Sequence, residues 1–315
     1  MIGILGSGFG LYGYLPALVE ARGESILLPT RYRVPFFNRV ELRRFASSVR
    51  WGGSDISVVD SVAVLVLALE PSRQMELIPR CIASSNIERL LLEKPLAPSP
   101  AVAIELFESL LHSQKAFRIG YTFRYTGWGQ QLLDLLGSQC HSGSLLIRWN
   151  FMAHHFRHSL RTWKSLESAG GGAVRFYGIH IIALLAEIGY RNVKLSRTLG
   201  ASQNEPEQWM AVFEGANLPM CEVIVNTKSN MHEFKVEYSP SLNPRFAPYV
   251  LTDLMDPFDS NNDVPTSNQS DRRLSVLVKL CQALWSPTAH EYSWYRASLD
   301  LWADAEKNNQ FEHSR

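Results

Sequence analysis

Glu93 and Lys94 stand at the end of the apolar run "LLLEKP", directly ahead of Pro95. An amine held there can hydrogen-bond a ribose hydroxyl or polarise a substrate hydroxyl or carbonyl, and the proline biases Lys94 away from helical backbone. His180 is a second candidate. It follows the consecutive glycines Gly170, Gly171 and Gly172 in "GGGAVRFYGIH" and opens an apolar stretch of helical length. Imidazole can exchange a proton near neutral pH, best when a neighbouring carboxylate fixes its tautomer. At the position four residues earlier, on the same face of an α-helix, the chain has Phe176. Tyr177 offers a hydroxyl on the neighbouring line of that helix. The third group is the turn "GSGFGL", with Gly6, Ser7, Gly8, Phe9 and Gly10. A dinucleotide diphosphate needs a tight turn, a close backbone approach and a helix N-terminus facing it, which Gly6 and Gly8 can provide. Leu11 stands where a third small residue is usual.

These groups must be positioned by regular elements, and the pattern of the chain supplies them. The first third alternates short apolar runs ("IGIL", "SILLP", "VAVLVLAL", "IERLLL") with helical patterns such as "YLPALVEARG", "VELRRFASS" and "SRQMELIPRCIASS". That order predicts an α/β fold with a parallel sheet covered by helices. The amphipathic "SPAVAIELFESLLHSQ" and the strand "AFRIGY" complete a first domain of residues 1–121. In residues 122–315, "SLLIRWNFMA" alternates so that Leu145, Ile147, Trp149 and Phe151 share a face. With "QWMAVFEG", "MCEVIVNTK" and "EFKVEYS" it predicts a second α/β domain with an open, mainly antiparallel sheet. The polar stretch "DPFDSNNDVPTSNQSD" reads as a long loop, and helices built on "RRLSVLVKLCQALW" and "YRASLDLWADAEKN" close the chain.

Composition excludes several classes. The 315 residues are 46% hydrophobic and 19% charged with a net charge of +1, which suits a globular protein and gives no reason to expect nucleic acid or a membrane as partner. The apolar runs are too short to span a bilayer, and the glycine turn follows so closely on Met1 that no signal peptide is expected. The four cysteines are scattered and read as reduced thiols. A cytoplasmic protein is the expectation.

Taken in order, "GILGSGFGLYGYLPAL", "LLLEKPLAPS", "GYTFRY" and "W…GGGAVRFYGIH" resemble the Gfo/Idh/MocA family of NAD(P)-dependent oxidoreductases over residues 2 to about 190. The resemblance implies a Rossmann domain followed by a sheet domain that mediates homo-oligomer contacts. It implies hydride transfer between nicotinamide and a carbinol or ketone of a sugar, a sugar-like molecule or a sugar nucleotide. In that frame the glycine turn, Leu69, Glu70, Glu93, Lys94 and Pro95 bind the cofactor. Lys94, His180 and Tyr177 are the candidates for chemistry, and Arg124, Trp163, Phe176, Arg157 and Arg161 are those for substrate binding. The resemblance also places an aspartate where this chain has Phe176, and in many relatives a histidine where it has Gln74.

The second strand lacks the acidic residue that reads NAD ribose hydroxyls. It ends instead in Thr30, Arg31 and Arg33, donors suited to a 2′-phosphate, so NADP is favoured over NAD. His154, His155 and His158 cluster without acidic or cysteine partners, so no metal is expected. Because Phe176 removes the usual carboxylate, a second reading stands beside the enzyme: a dinucleotide-binding sensor or regulatory protein of the same fold.

Overall fold

The computed structural model describes residues 1–137, 142–240, 248–259, 271–286 and 289–314. The chain forms two compact units: 1–97, 105–125 and the described part of 263–288 make the first, and 98–104, the described part of 126–262 and 289–315 the second. In chain order the strands of the first unit are β1 (Ile2–Leu5), β2 (Ile26–Pro29), β3 (Val49–Gly52), β4 (Val64–Leu67), β5 (Arg89–Leu92) and β6 (Ala116–Ile119). Those of the second are β7 (Ser144–Met152), β8 (Asn192–Ser202), β9 (Glu205–Glu214), β10 (Met220–Asn226), β11 (Lys228–Ser239), β12 (Tyr249–Leu254) and β13 (Asn309–His313). The helices are α1 (Leu15–Arg22), α2 (Arg33–Phe37), α3 (Asp55–Val59), α4 (Pro71–Ala83), α5 (Pro100–His112), α6 (Gly127–Gly137), α7 (His154–Arg157), α8 (Ile179–Ile188), α9 (Leu274–Ala283) and α10 (Ala289–Lys307).

The first sheet has the order β3-β2-β1-β4-β5-β6 with every pair parallel. Its central strands are short, apolar and buried, as helices on both faces require. The strand order reverses between β1 and β4, the switch point at which such sheets open a ligand crevice at their carboxyl ends. The glycine turn lies there. α9 packs on α1, and its Leu277, Leu280 and Cys281 join Ile4, Leu15, Leu18 and Val66 in one core. Arg118 donates to the carbonyls of Ala283 (3.0 Å) and Ser286 (2.6 Å), tying the C-terminal end of α9 to β6. "VELRRFASS" is helical as expected, in the tighter 3₁₀ form over Val40–Ser48.

The second sheet is mixed, with order β12-β11-β7-β10-β9-β8-β13. Four of its pairings are antiparallel, and β7/β10 and β8/β13 are parallel. Trp149, Trp209, Phe213, Val223 and Phe234 are buried on one face. α8 packs on α10 and is buried from Ile179 to Ala186, which is why it reads as apolar all round. The fold class expected from the sequence is the one observed. Most of "DPFDSNNDVPTSNQSD" lies outside the described residues, as does Cys140; Cys81, Cys221 and Cys281 are buried and free. Among the described residues no helix is long and apolar enough to cross a membrane.

Candidate active site

Gly6 follows β1 at φ +140°, where a Cβ would lie 2.3 Å from the carbonyl oxygen of Ala68 after β4. Only glycine lets the two strand ends approach so closely. Gly8 differs: a Cβ there would meet nothing within 4 Å, so the turn leaves open space at the start of the helix. The helix begins as a π turn over Gly10–Tyr14 before continuing as α1. Leu11 is fully buried in the core, so it does not occupy that open space. Ser7 is exposed and Phe9 half-buried. After β4, Leu69 is half-buried and the exposed Glu70 caps α4 through its backbone.

After β5 the carboxylate of Glu93 accepts from the Tyr14 hydroxyl (3.0 Å) and from the Lys94 backbone N–H (3.0 Å). Burial pushes this carboxyl above its ordinary range, against the lowering pull of Lys94 and of the Tyr14 hydrogen bond. Gln74, fully buried on α4, donates to the Glu93 carbonyl (2.7 Å) and accepts from the Glu93 N–H (3.0 Å). It also donates to the carbonyl of Leu96 at 3.3 Å. One amide side chain therefore braces both sides of the Glu93–Lys94–Pro95 turn, in which the Lys94–Pro95 bond is cis. Lys94 itself is 8% exposed. Arg124 is half-buried in the 3₁₀ turn Phe123–Tyr125, its guanidinium 5.2 Å from the Tyr125 ring.

At the end of β2, Thr30 donates to the carbonyl of Gly52. Arg31 forks onto Asp55, with Nε–Oδ1 at 2.8 Å and Nη2–Oδ2 at 2.5 Å, and also donates to the Tyr32 hydroxyl at 3.0 Å. That hydroxyl accepts from the N–H of Gly6 (2.9 Å), so buried Tyr32 links the glycine turn to the end of β2. Arg33 is exposed at the start of α2. The sequence pattern singled out the arginines but neither Asp55, 24 positions from Arg31, nor the bond of the Tyr32 hydroxyl to Gly6, 26 positions away; contacts so distant in sequence leave no local signal.

In the second unit Gly171 lies where a Cβ would be 2.2 Å from the Trp163 carbonyl oxygen, so the glycine run packs directly on the tryptophan loop. The helix carrying His180 is π-helical over Ala173–Gly178 and becomes α-helical at Ile179. Four residues make about one turn of an α-helix, but a π turn is wider, with i→i+5 bonding, as in Ile179 N–H to the Val174 carbonyl. Phe176 thus lies in the π turn and His180 in the α-helix that follows it. His180 is 7% exposed.

Phe176 lies edge-on to Trp163 (5.2 Å) and to Tyr177 (4.8 Å). Tyr177 in turn meets Phe151 (4.9 Å) and Trp149 (5.7 Å) of β7. Burial pushes the Tyr177 hydroxyl pKa up, so it stays protonated across the physiological range. Lys164 Nζ lies 5.4 Å from the Phe176 ring centroid.

Arg175, which the sequence pattern did not single out, anchors the same turn. It is only 12% exposed, pairs with Glu306 on α10 (2.7 and 2.8 Å) and donates to the carbonyls of Pro98 and Glu167 (2.7 Å each). Arg157 and Arg161 are exposed, the latter 3.8 Å from Glu205. His154 and His158 are exposed neighbours with ring centroids 4.5 Å apart. Buried His155 is held neutral, its pKa lowered to about 4 by burial and by nearby Lys164 and His154. Among the described residues no group of three His, Cys, Asp or Glu side chains is placed to hold a metal ion.

No family model and no curated protein matches the sequence. Solved structures do. GenD2 from gentamicin A biosynthesis, in complex with NAD, has a TM-score of 0.71 and 18% identity over 98% of this chain and 93% of that one. KijD10, a 3-ketoreductase from Actinomadura kijaniata in complex with NADP and TDP-benzene, has a TM-score of 0.71 and 12% identity over 100% and 99%. Levoglucosan dehydrogenase, in complex with NADH and levoglucosan, has a TM-score of 0.67 and 12% identity over 98% and 97%. At such identities the likeness is one of fold: the chain folds as these three dinucleotide-bound proteins do.

Proposed function

We propose that the protein is an NAD(P)-dependent oxidoreductase that moves a hydride between nicotinamide and a carbinol or ketone carbon of a sugar, a sugar-like molecule or a sugar nucleotide. The observation carrying this reading is the carboxyl edge of the first sheet. There the strand order reverses, and the glycine turn, the Leu69–Glu70 segment and Lys94 all follow from neighbouring strands. The open space at Gly8 is what a bound diphosphate requires, and a helix start presents N–H groups without intrahelical acceptors. A bound nicotinamide would supply the hydride donor or acceptor. The cofactors in GenD2, KijD10 and levoglucosan dehydrogenase support the same use of the fold.

The remaining roles fall to this chain's own side chains. Lys94, braced through Gln74 and Glu93, hydrogen-bonds the reacting oxygen and stabilises negative charge on it. His180 exchanges the proton. Tyr177, with its raised pKa, is a hydrogen-bond donor and not a base. The ring wall of Phe176, Trp163 and Tyr177 packs on the apolar face of the substrate, and Arg157 and Arg161 meet an anionic substituent if there is one. Arg31 and Arg33 favour the 2′-phosphate of NADP, with Asp55 holding the Arg31 fork in place. Oligomers form through the outer face of the second sheet, where Leu195 and Met210 are exposed.

A single observation favours the sensor as second reading: the residue beside the His180 turn is a ring locked against Trp163, not a carboxylate. Calorimetric titration with NADPH and NADH, followed by absorbance at the nicotinamide band across a panel of sugars, separates the two. Binding with turnover is the expected result. Binding without turnover on any substrate would leave the sensor, and absence of binding would refute both.

A further inference from the structure

We infer that Arg273, returned to the first unit ahead of α9, is a positioning residue for the glycine turn and sets its affinity for a dinucleotide. The inference rests on the cofactor reading above. The Arg273 guanidinium is aimed twice over. Its Nε and Nη2 donate to the two carboxylate oxygens of Asp271 at 2.8 and 2.7 Å, and its backbone N–H donates to the same carboxylate at 2.9 Å. So oriented, the planar group lies 4.3 Å from the ring centroid of Phe9 and 5.8 Å from that of Tyr12.

Phe9 is the one aromatic side chain inside "GSGFGL". Its ring has little room elsewhere: a Cβ on Gly13 would lie 2.3 Å from it, and the Tyr12 and Tyr14 rings stand at 5.5 and 5.0 Å. Tyr14 passes the contact on, because its hydroxyl donates to Glu93, which accepts from the Lys94 N–H. A continuous series of contacts thus joins Asp271 and Arg273 to the glycine turn and to the residue proposed to meet the reacting oxygen. An arginine that served only to anchor α9 would have no need to lie on a ring of the glycine turn. Its side chain is 30% exposed. Arg rather than Lys fits this place, since the flat fork can satisfy Asp271 along one edge while stacking on Phe9 through its face.

The test is a double-mutant cycle on dinucleotide affinity. Calorimetry with NADPH and with NADH is run on the full chain at a temperature where circular dichroism shows every variant folded. Arg273→Gln is expected to weaken binding by about 3- to 30-fold, the range of a cation–π contact. Arg273→Lys is expected to recover part of that loss. In a Phe9→Leu background, Arg273→Gln should have less than about a twofold further effect, because its route to the turn is gone. Unchanged affinity in Arg273→Gln, or an equal loss in both backgrounds, would overturn the inference. If Arg273→Gln does not fold, Asp271→Asn, which releases the fork, takes its place in the same cycle with the same expectations. A wild-type protein that binds neither dinucleotide would sink the cofactor reading and this inference together, whereas wild-type binding with indifferent variants would sink this inference alone.

Discussion

Gly6 and Gly8 sit two residues apart, yet alanine at each should act on a different property. At Gly6, alanine must adopt φ +140° and place its methyl 2.3 Å from the carbonyl oxygen of Ala68. Backbone strain of about 1–3 kcal/mol adds to the cost of moving two packed strand ends apart, about 1–3 kcal/mol more. The total of about 2–6 kcal/mol corresponds to a fall in Tm of roughly 5–15 °C. At Gly8 the backbone is outside the positive-φ region and a methyl meets no neighbour within 4 Å. Stability should change by less than about 1 kcal/mol there, with the sign favouring alanine through lost unfolded-state entropy. The same methyl stands where the diphosphate must approach the backbone. Losing one charge-assisted hydrogen bond costs about 1.5–3 kcal/mol, or about 10- to 150-fold in Kd. Thermal unfolding by circular dichroism and calorimetric titration with NADPH, run on both variants, give the two numbers. The reasoning is refuted if Gly8→Ala binds like the wild type, or if it melts as low as Gly6→Ala.

Other perturbations follow from the same geometry. Arg175→Ala strips partners from Glu306, Glu167 and two carbonyls at a site where the arginine is only 12% exposed, and urea unfolding should report a loss of about 3–5 kcal/mol. Burial raises the Glu93 carboxyl above its ordinary value of 4.5, so the folded protein keeps a proton that the unfolded chain releases. Its contribution to stability is complete below about pH 4.5 and is lost as pH rises through the folded value. Glu93→Gln lacks this titration, so unfolding midpoints measured as a function of pH should show the variant gaining on the wild type as pH rises. Arg31→Ala removes the guanidinium charge that Asp55 holds at the end of β2 and should lower affinity for NADPH relative to NADH by about tenfold, measured by competitive titration.

Much of this was legible in the sequence because it is local. A glycine turn straight after an apolar run, Lys94 between a strand and a proline, and three glycines ahead of a histidine are all short-range patterns. The parallel sheet followed from the alternation of short apolar runs with helical segments. Strands β3, β8, β12 and β13 are not legible in the pattern; in β8 and β13 polar residues blur the alternation, since "NVKLSRTLGAS" buries residues irregularly and "NQFEH" is an edge strand with no buried residue. The π turns at Gly10–Tyr14 and Ala173–Gly178 were also missed, since apolar residues at helical spacing do not distinguish one wide turn from a regular one. The braces were invisible for another reason. Gln74 to Glu93, Tyr14 to Glu93, Tyr32 to Gly6 and Arg175 to Glu306 join residues between 19 and 131 positions apart, and only the folded chain brings them together.

The claim at the centre of the account is that Lys94 acts on an oxygen undergoing hydride exchange with a nicotinamide held by the glycine turn. Its most direct test is the absorbance change of the nicotinamide band with saturating cofactor and a panel of keto sugars and sugar alcohols, wild type beside Lys94→Ala. The account predicts steady turnover for the wild type on at least one substrate. For Lys94→Ala it predicts a rate lower by about 10²-fold or more, with cofactor binding retained. Equal rates in the two proteins would contradict it.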